Sequence, residues 1–137
     1  LASDFNPHGV IFLDEPVEMF ELTKYGPALE NHPAFPKKVN IEFVNVLSSD
    51  RLRMRVWERG SGVTLACGTG TASVVAALMR RGLVSGENTK VHVPGGELFI
   101  TLNTDPQTEE ITDIYLTGPT NIVAEGEVCD EELDVLL

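Results

Sequence analysis

The sequence predicts an α+β domain in which a curled sheet, mixed or antiparallel, wraps one central buried helix. Three observations lead there. Residues 69–81 are apolar nearly all round, with Thr71 and Ser73 the polar interruptions before Arg80, and a helix of that kind belongs inside a core. At roughly 20 Å it is too short to span a bilayer. Runs alternating apolar and polar residues, with the period of a half-buried strand, lie on both sides of it. Glycine and proline signals bound those runs, so about seven strands around one helix is the simplest architecture.

In chain order, residues 9–13 (GVIFL) form a short apolar strand between Asn-Pro-His and Asp-Glu-Pro. Residues 17–25 read as a short helix that Gly26-Pro27 breaks, followed by a turn over 29–32 and a loop around Pro33 and Pro36. Residues 39–47 make a strand with Val39, Ile41 and Phe43 on one face and Asn40 and Glu42 on the other. Ser48-Ser49-Asp50 turns it into residues 51–57, where Leu52, Met54 and Val56 alternate with three arginines. A glycine-rich turn leads to the helix, which Gly82 stops. Residues 91–93 and 97–102 form a hairpin over Pro94-Gly95-Gly96. A polar loop over 103–110 precedes two more strands, 111–117 and 121–128, and an acidic tail occupies 130–137.

The chain has 137 residues, 42% of them hydrophobic, enough for one domain with a real core. A net charge of −11 argues against a general binder of nucleic acid or anionic membrane, because neutralising phosphates needs clustered Lys and Arg. No secretory signal and no run of 18 apolar residues occurs, so a soluble cytoplasmic protein is expected. Cys67 and Cys129 fit a reduced compartment, and no Cys/His spacing resembles a zinc site. No metal is expected. A chain that opens on Leu1 without an initiator methionine suggests an excised piece.

The chemistry concentrates at Cys67, just ahead of the helix. The first turn of a helix has unpaired N–H groups and the positive end of the macrodipole, which favour an anion. One such anion is a ligand carboxylate or phosphate held by the amides of Gly68, Thr69 and Gly70. The other is a thiolate at Cys67 itself, since cysteines at helix N-termini titrate at roughly 3.5–7.5 rather than about 8.5. The plainer alternative makes Cys67 a small buried hydrophobe and the glycines a tight turn.

The block E-R-G-x-G-x-T-x-A-C-G-T-G from Glu58 to Gly70, with N-P-H at Asn6 to His8 and V-N at Val39-Asn40 upstream, resembles diaminopimelate epimerase. The likeness runs from Asn6 to about Val128, and it is to the C-terminal half of that enzyme. It implies two pseudo-twofold halves, each a curled sheet around a central helix, with a cofactor-independent active site in the cleft between them. One cysteine, as thiolate, takes the α-proton of the amino acid, and a second, as thiol, returns a proton to the opposite face. Residues 1–137 would then be one domain of such an enzyme.

Residue by residue, the resemblance implies that Cys67 is the second catalytic cysteine, with Glu58 and His8 near the reacting centre. It implies that the amides of Gly68 and Thr69 bind the substrate's α-carboxylate. Asn6, Asn40, Glu58 and Arg59 would contact the substrate, the asparagines and Arg59 at its distal amino-acid end, where a guanidinium fork suits a carboxylate. The implied partners are diaminopimelate and an N-terminal half with the other cysteine; a homodimer is left open, and neither nucleic acid nor membrane is expected. The first catalytic cysteine's C-G-N-G-type turn does not occur in the 137 residues, so the chain alone is expected to be inactive.

Phe5, Gly9 and Val63 depart from the usual pattern. The alternatives are a proline or hydroxyproline racemase, a phenazine-type isomerase, a non-catalytic anion-binding module, and a Cys/His hydrolase using Cys67 and His8. Cys129 matches no motif and reads as a structural or incidental thiol.

Overall fold

The computed structural model describes residues 6–127. Nine elements follow one another: β1 (His8–Phe12), α1 (Leu22–Glu30), β2 (Asn40–Ser48), β3 (Arg51–Glu58), β4 (Gly62–Thr64), α2 (Gly68–Arg80), β5 (Thr89–Val93), β6 (Gly96–Thr104) and β7 (Ile111–Thr117). The strands form one sheet in the order β1-β2-β3-β5-β6-β7, with β4 paired to β3 off that path. The β1/β2 and β3/β5 pairs are parallel and the rest antiparallel. Parallel neighbours need a crossover, and α1 and α2 supply the two required. Because α2 touches β1 and β2 at one end of the sheet and β6 and β7 at the other, the sheet curls around it.

The sheet carries a core on each face. On the α2 side, Val44, Leu52, Met54 and Val56 pack with Val74, Val75 and Leu78. On the α1 side, Ile41 and Phe43 pack with Val17 and Leu22. Strand β2 feeds both cores, so its second face is not the solvated one that alternation implies: Asn40 is 4% exposed and Glu42 0%. Each buried aliphatic side chain contributes about 1.5–3 kcal/mol, enough in sum to outweigh the roughly 1–3 kcal/mol cost of an unpaired buried polar group. The fold can therefore carry a carboxylate inside β2.

Helix α2 is embedded on one side only. Thr71, Val74, Val75 and Leu78, spaced as one helical stripe, are fully buried, whereas Ala72, Ser73, Ala76 and Ala77 are half-buried. Ser73 and Ala76 border a cleft of about 460 Å³, together with Val10 of β1 and Ile114 of β7. The helix ends in paired turns, with Gly82 N–H donating to Met79 O (2.9 Å) and Leu83 N–H to Leu78 O (3.0 Å). That pattern needs a left-handed residue after the cap, and Gly82 supplies it at φ +68°.

Three local expectations fail. The first helix runs over Leu22–Glu30, through Gly26 and Pro27 and not up to them. Pro27 falls one turn into the helix and forfeits one bond, and Gly26 is there for space: a Cβ on it would lie 2.3 Å from the Trp57 ring. Strand β4 arises inside the glycine-rich turn, where Val63 pairs with Trp57. Residues 121–127 form no strand, and Ile122 and Val123 stand 83% and 95% exposed. Val128, Cys129 and the acidic tail lie outside the described residues, as does Phe5.

Candidate active site

Cys67 is the N-cap of α2, with extended backbone (φ −136°, ψ 111°) and its Sγ accepting the Gly70 N–H at 3.4 Å. Its carbonyl accepts from the Thr71 N–H (2.9 Å) and hydroxyl (2.8 Å), which locks the first turn. Gly68 and Thr69 are exposed, and among the described residues no acceptor bonds their amides. Two free N–H groups at the positive end of a helix, beside a sulfur that already receives a third, make an anion site with a thiol at its edge.

Strand pairing brings the upstream residues to this helix tip. His8 pairs with Asn40 in the β1/β2 register, and both are buried. His8 Nδ1 lies 2.7 Å from Glu42 Oε1, and its Nε2 lies 3.1 Å from Thr69 Oγ1. Thr69 Oγ1 also accepts from Asn6 Nδ2 (2.9 Å) and sits 3.6 Å from Cys67 Sγ. Asn40 acts as a clamp: Nδ2 donates to Asn6 Oδ1 (2.7 Å) and Pro7 O (3.1 Å), while Oδ1 accepts the Arg59 backbone N–H (2.8 Å).

Asn6, His8, Asn40, Cys67, Gly68 and Thr69 thus form one contiguous constellation. Arg59 joins it through its backbone, while its guanidinium donates to Lys37 O at the surface (2.9 Å). Glu58, half-buried at the end of β3, accepts from the Thr64 hydroxyl and adds its charge to the field at Glu42.

Glu42 is the residue sequence reasoning missed. Period-2 alternation assigned it to a polar face, yet it points into the site. Burial pushes its carboxyl above the usual range, against the lowering effect of the His8 contact, and its Oε2 has no partner among the described residues. The available signal was a lone acid in N-I-E-F-V, two residues beyond Asn40 on the same strand face.

His8, Glu42 and Cys67 present donor atoms within 4.8 Å of one another, a Cys/His/Glu set of a type zinc accepts. His8 and Glu42 already bond each other, so a metal using both of those atoms would have to break that contact.

The curled sheet around a single helix, with a thiol and open amides at the helix tip, defines a class: α+β half-barrels that present a cysteine beside an anion site. The Bacillus anthracis phenazine biosynthesis protein of the PhzF family shares this fold, with a TM-score of 0.53 and 22% identity over 77% of this chain and 33% of that one. A family model described as diaminopimelate epimerase matches residues 3–123. Diaminopimelate epimerase of Bacillus cytotoxicus is 49% identical over 122 residues, 88% of this chain and 40% of that protein. Those of Phocaeicola vulgatus and Methanococcus maripaludis are 48% and 46% identical over 90% of this chain. The chain belongs to the diaminopimelate epimerase family, and it spans about 40% of the length of these relatives.

Proposed function

We propose that this chain is one half of an isomerase that interconverts LL- and meso-diaminopimelate without a cofactor, in the cytoplasm, on the route to lysine and peptidoglycan precursors. The observation that carries the reading is Cys67 Sγ at the capped tip of α2, next to the amides of Gly68 and Thr69, which no acceptor bonds among the described residues. Those amides suit the α-carboxylate, which would set the α-carbon beside the sulfur. A complementary half, carrying a second cysteine, closes the opposite face.

In the forward direction one sulfur, as thiolate, takes the α-proton; its S–H bond forms as the C–H bond breaks and the electron pair stays on carbon. The opposing thiol then gives up its proton to the other face, leaving a thiolate. Protons balance, and the two sulfurs exchange protonation states. The Gly70 N–H donates to Sγ and fixes the sulfur at the helix tip. Asn6 and the Arg59 guanidinium are assigned to the distal amino-acid end. Asn40, with both amide hydrogens committed, acts by holding Asn6 and the Arg59 backbone, and Glu58 and His8 flank the reacting centre.

The purified chain alone is expected to leave LL-diaminopimelate unchanged, and mixing it with a separately made N-terminal half is expected to restore turnover. Turnover by the chain alone, freed of host enzyme, would refute the two-cysteine division of labour.

A further inference from the structure

Glu42 enters none of the roles assigned above, yet the site is built around it. It is 0% exposed, at the third position of β2. A Cβ on Gly70 would lie 2.4 Å from its Oε1 and 3.2 Å from Cys67 Sγ, so the second glycine of C-G-T-G leaves the carboxylate its room. The same residue donates its N–H to the sulfur. The carboxylate meets His8 Nδ1 at 2.7 Å, the separation of a charge-assisted N–H···O⁻ bond.

The direction of the remaining bonds follows from this contact. Neutral imidazole has one donor nitrogen and one acceptor. If Nδ1 carries the hydrogen toward Glu42, Nε2 is bare and must accept from the Thr69 hydroxyl, 3.1 Å away. Thr69 has one hydroxyl hydrogen. Its oxygen then accepts from Asn6 Nδ2 and still faces Cys67 Sγ at 3.6 Å, ready to accept an S–H. The opposite arrangement needs a protonated Glu42 donating to Nδ1, with Nε2–H donating to Thr69 and the threonine hydrogen turned to the sulfur.

We propose that Glu42 is a positioning residue: it holds His8 as the Nδ1–H tautomer, so that Nε2 accepts from Thr69 and the Thr69 oxygen is left to receive a hydrogen from Cys67. Such fixing of one ring nitrogen by the bond the other makes is a general property of histidine. The consequence for proton traffic at Cys67 rests on the epimerase reading; the tautomer itself does not.

The test is nitrogen NMR on the histidine-labelled chain, at a pH where the ring is neutral, with the His8 signals identified by their loss in His8→Asn. The expected result is a protonated Nδ1 and a bare Nε2. A protonated Nε2 with a bare Nδ1 in the unaltered chain would overturn the proposal, and that outcome does not depend on any Glu42 variant folding. Glu42→Leu removes the acceptor, and His8 is expected to switch to the Nε2–H form, donating to Thr69; retention of Nδ1–H in a folded Glu42→Leu chain would equally overturn it. No substrate enters either arm, so the catalytic reading and this inference can fail separately.

Discussion

Gly26 in α1 and Gly70 in α2 each stand where a Cβ would strike a neighbour, and each lies beside a buried glutamate. Around Gly26 the indole of Trp57 fills the space, and Glu30 ties the region shut. Glu30 Oε2 accepts from Trp57 Nε1 (2.8 Å), and Oε1 accepts from the Gly60 N–H (3.1 Å) and Lys38 Nζ (3.4 Å). Around Gly70 the neighbour is the Glu42 carboxylate, with one oxygen on His8 and the other unpaired among the described residues. Both neighbourhoods use one device, a glycine that lets a helix approach a large group. Where every polar atom is satisfied the result is a joint; where one is left over beside a thiol and open amides, it is a candidate site.

The largest effect should separate the two glycines. Gly26→Ala presses on a ring pinned by its Nε1–H bond to Glu30 and should destabilise the chain by about 3 kcal/mol, near the upper part of the usual overpacking range. Gly70→Ala meets Glu42 Oε1, the far end of a flexible side chain that can shift at the cost of its His8 contact, and should cost about 1 kcal/mol, the lower end of that range. Urea unfolding of the two variants measures the difference, and equal losses would erase the contrast.

The glutamates themselves come next. Glu30→Gln leaves the Trp57 and Gly60 donors with a weaker acceptor and should lose about 1.5–3 kcal/mol at neutral pH, the range for hydrogen bonds to a charged group. Glu42→Gln removes a desolvated charge with an unpaired oxygen, so it should be neutral or stabilising by up to about 1 kcal/mol. A loss at Glu42 as large as that at Glu30 would mean that the second carboxylate is structural too.

The smallest effect is in the pH dependence, where the signs oppose. The Trp57 indole N–H, ahead of the other partners, holds the Glu30 carboxyl below its ordinary value. Its contribution is present above the unfolded pKa of about 4.3 and is lost as pH falls through the lower folded value. Burial raises the Glu42 carboxyl, so its contribution is full below about 4.3 and is lost as pH rises through the raised folded value. Denaturation midpoints on both sides of that value should therefore lose part of their rise with pH in Glu30→Gln and part of their fall in Glu42→Gln. The same change of slope in both variants would contradict the assignment.

Much of this was legible in the chain. Periodicity located β1, β2, β3, β5, β6, β7 and α2 because each alternates or clusters its apolar residues along its own length. The first helix was displaced because Gly26 and Pro27 have breaker chemistry locally, whereas Gly26 is there for Trp57, a contact thirty-one positions away in the chain. Residues 121–127 have the apolar pattern of a strand but no ladder partner among the described residues, and pattern alone does not supply one. In the site, the C-G-T-G and N-P-H motifs located Cys67, Thr69, Asn6 and His8. Glu42 was hidden because β2 is covered on both faces, a property of the tertiary packing of α1 and α2 and not of the strand's own period.

The most direct test of the central proposal, that Cys67 moves a proton at the α-carbon, uses this chain recombined with a separately made N-terminal half. Incubated with LL-diaminopimelate in heavy water, the recombined pair should place solvent deuterium at the α-carbon of the product. Cys67→Ala should slow that exchange by about 10²–10⁴-fold, the usual contribution of a positioned acid or base, with binding of a substrate analogue largely retained. Deuterium uptake at the unaltered rate in Cys67→Ala would contradict the account.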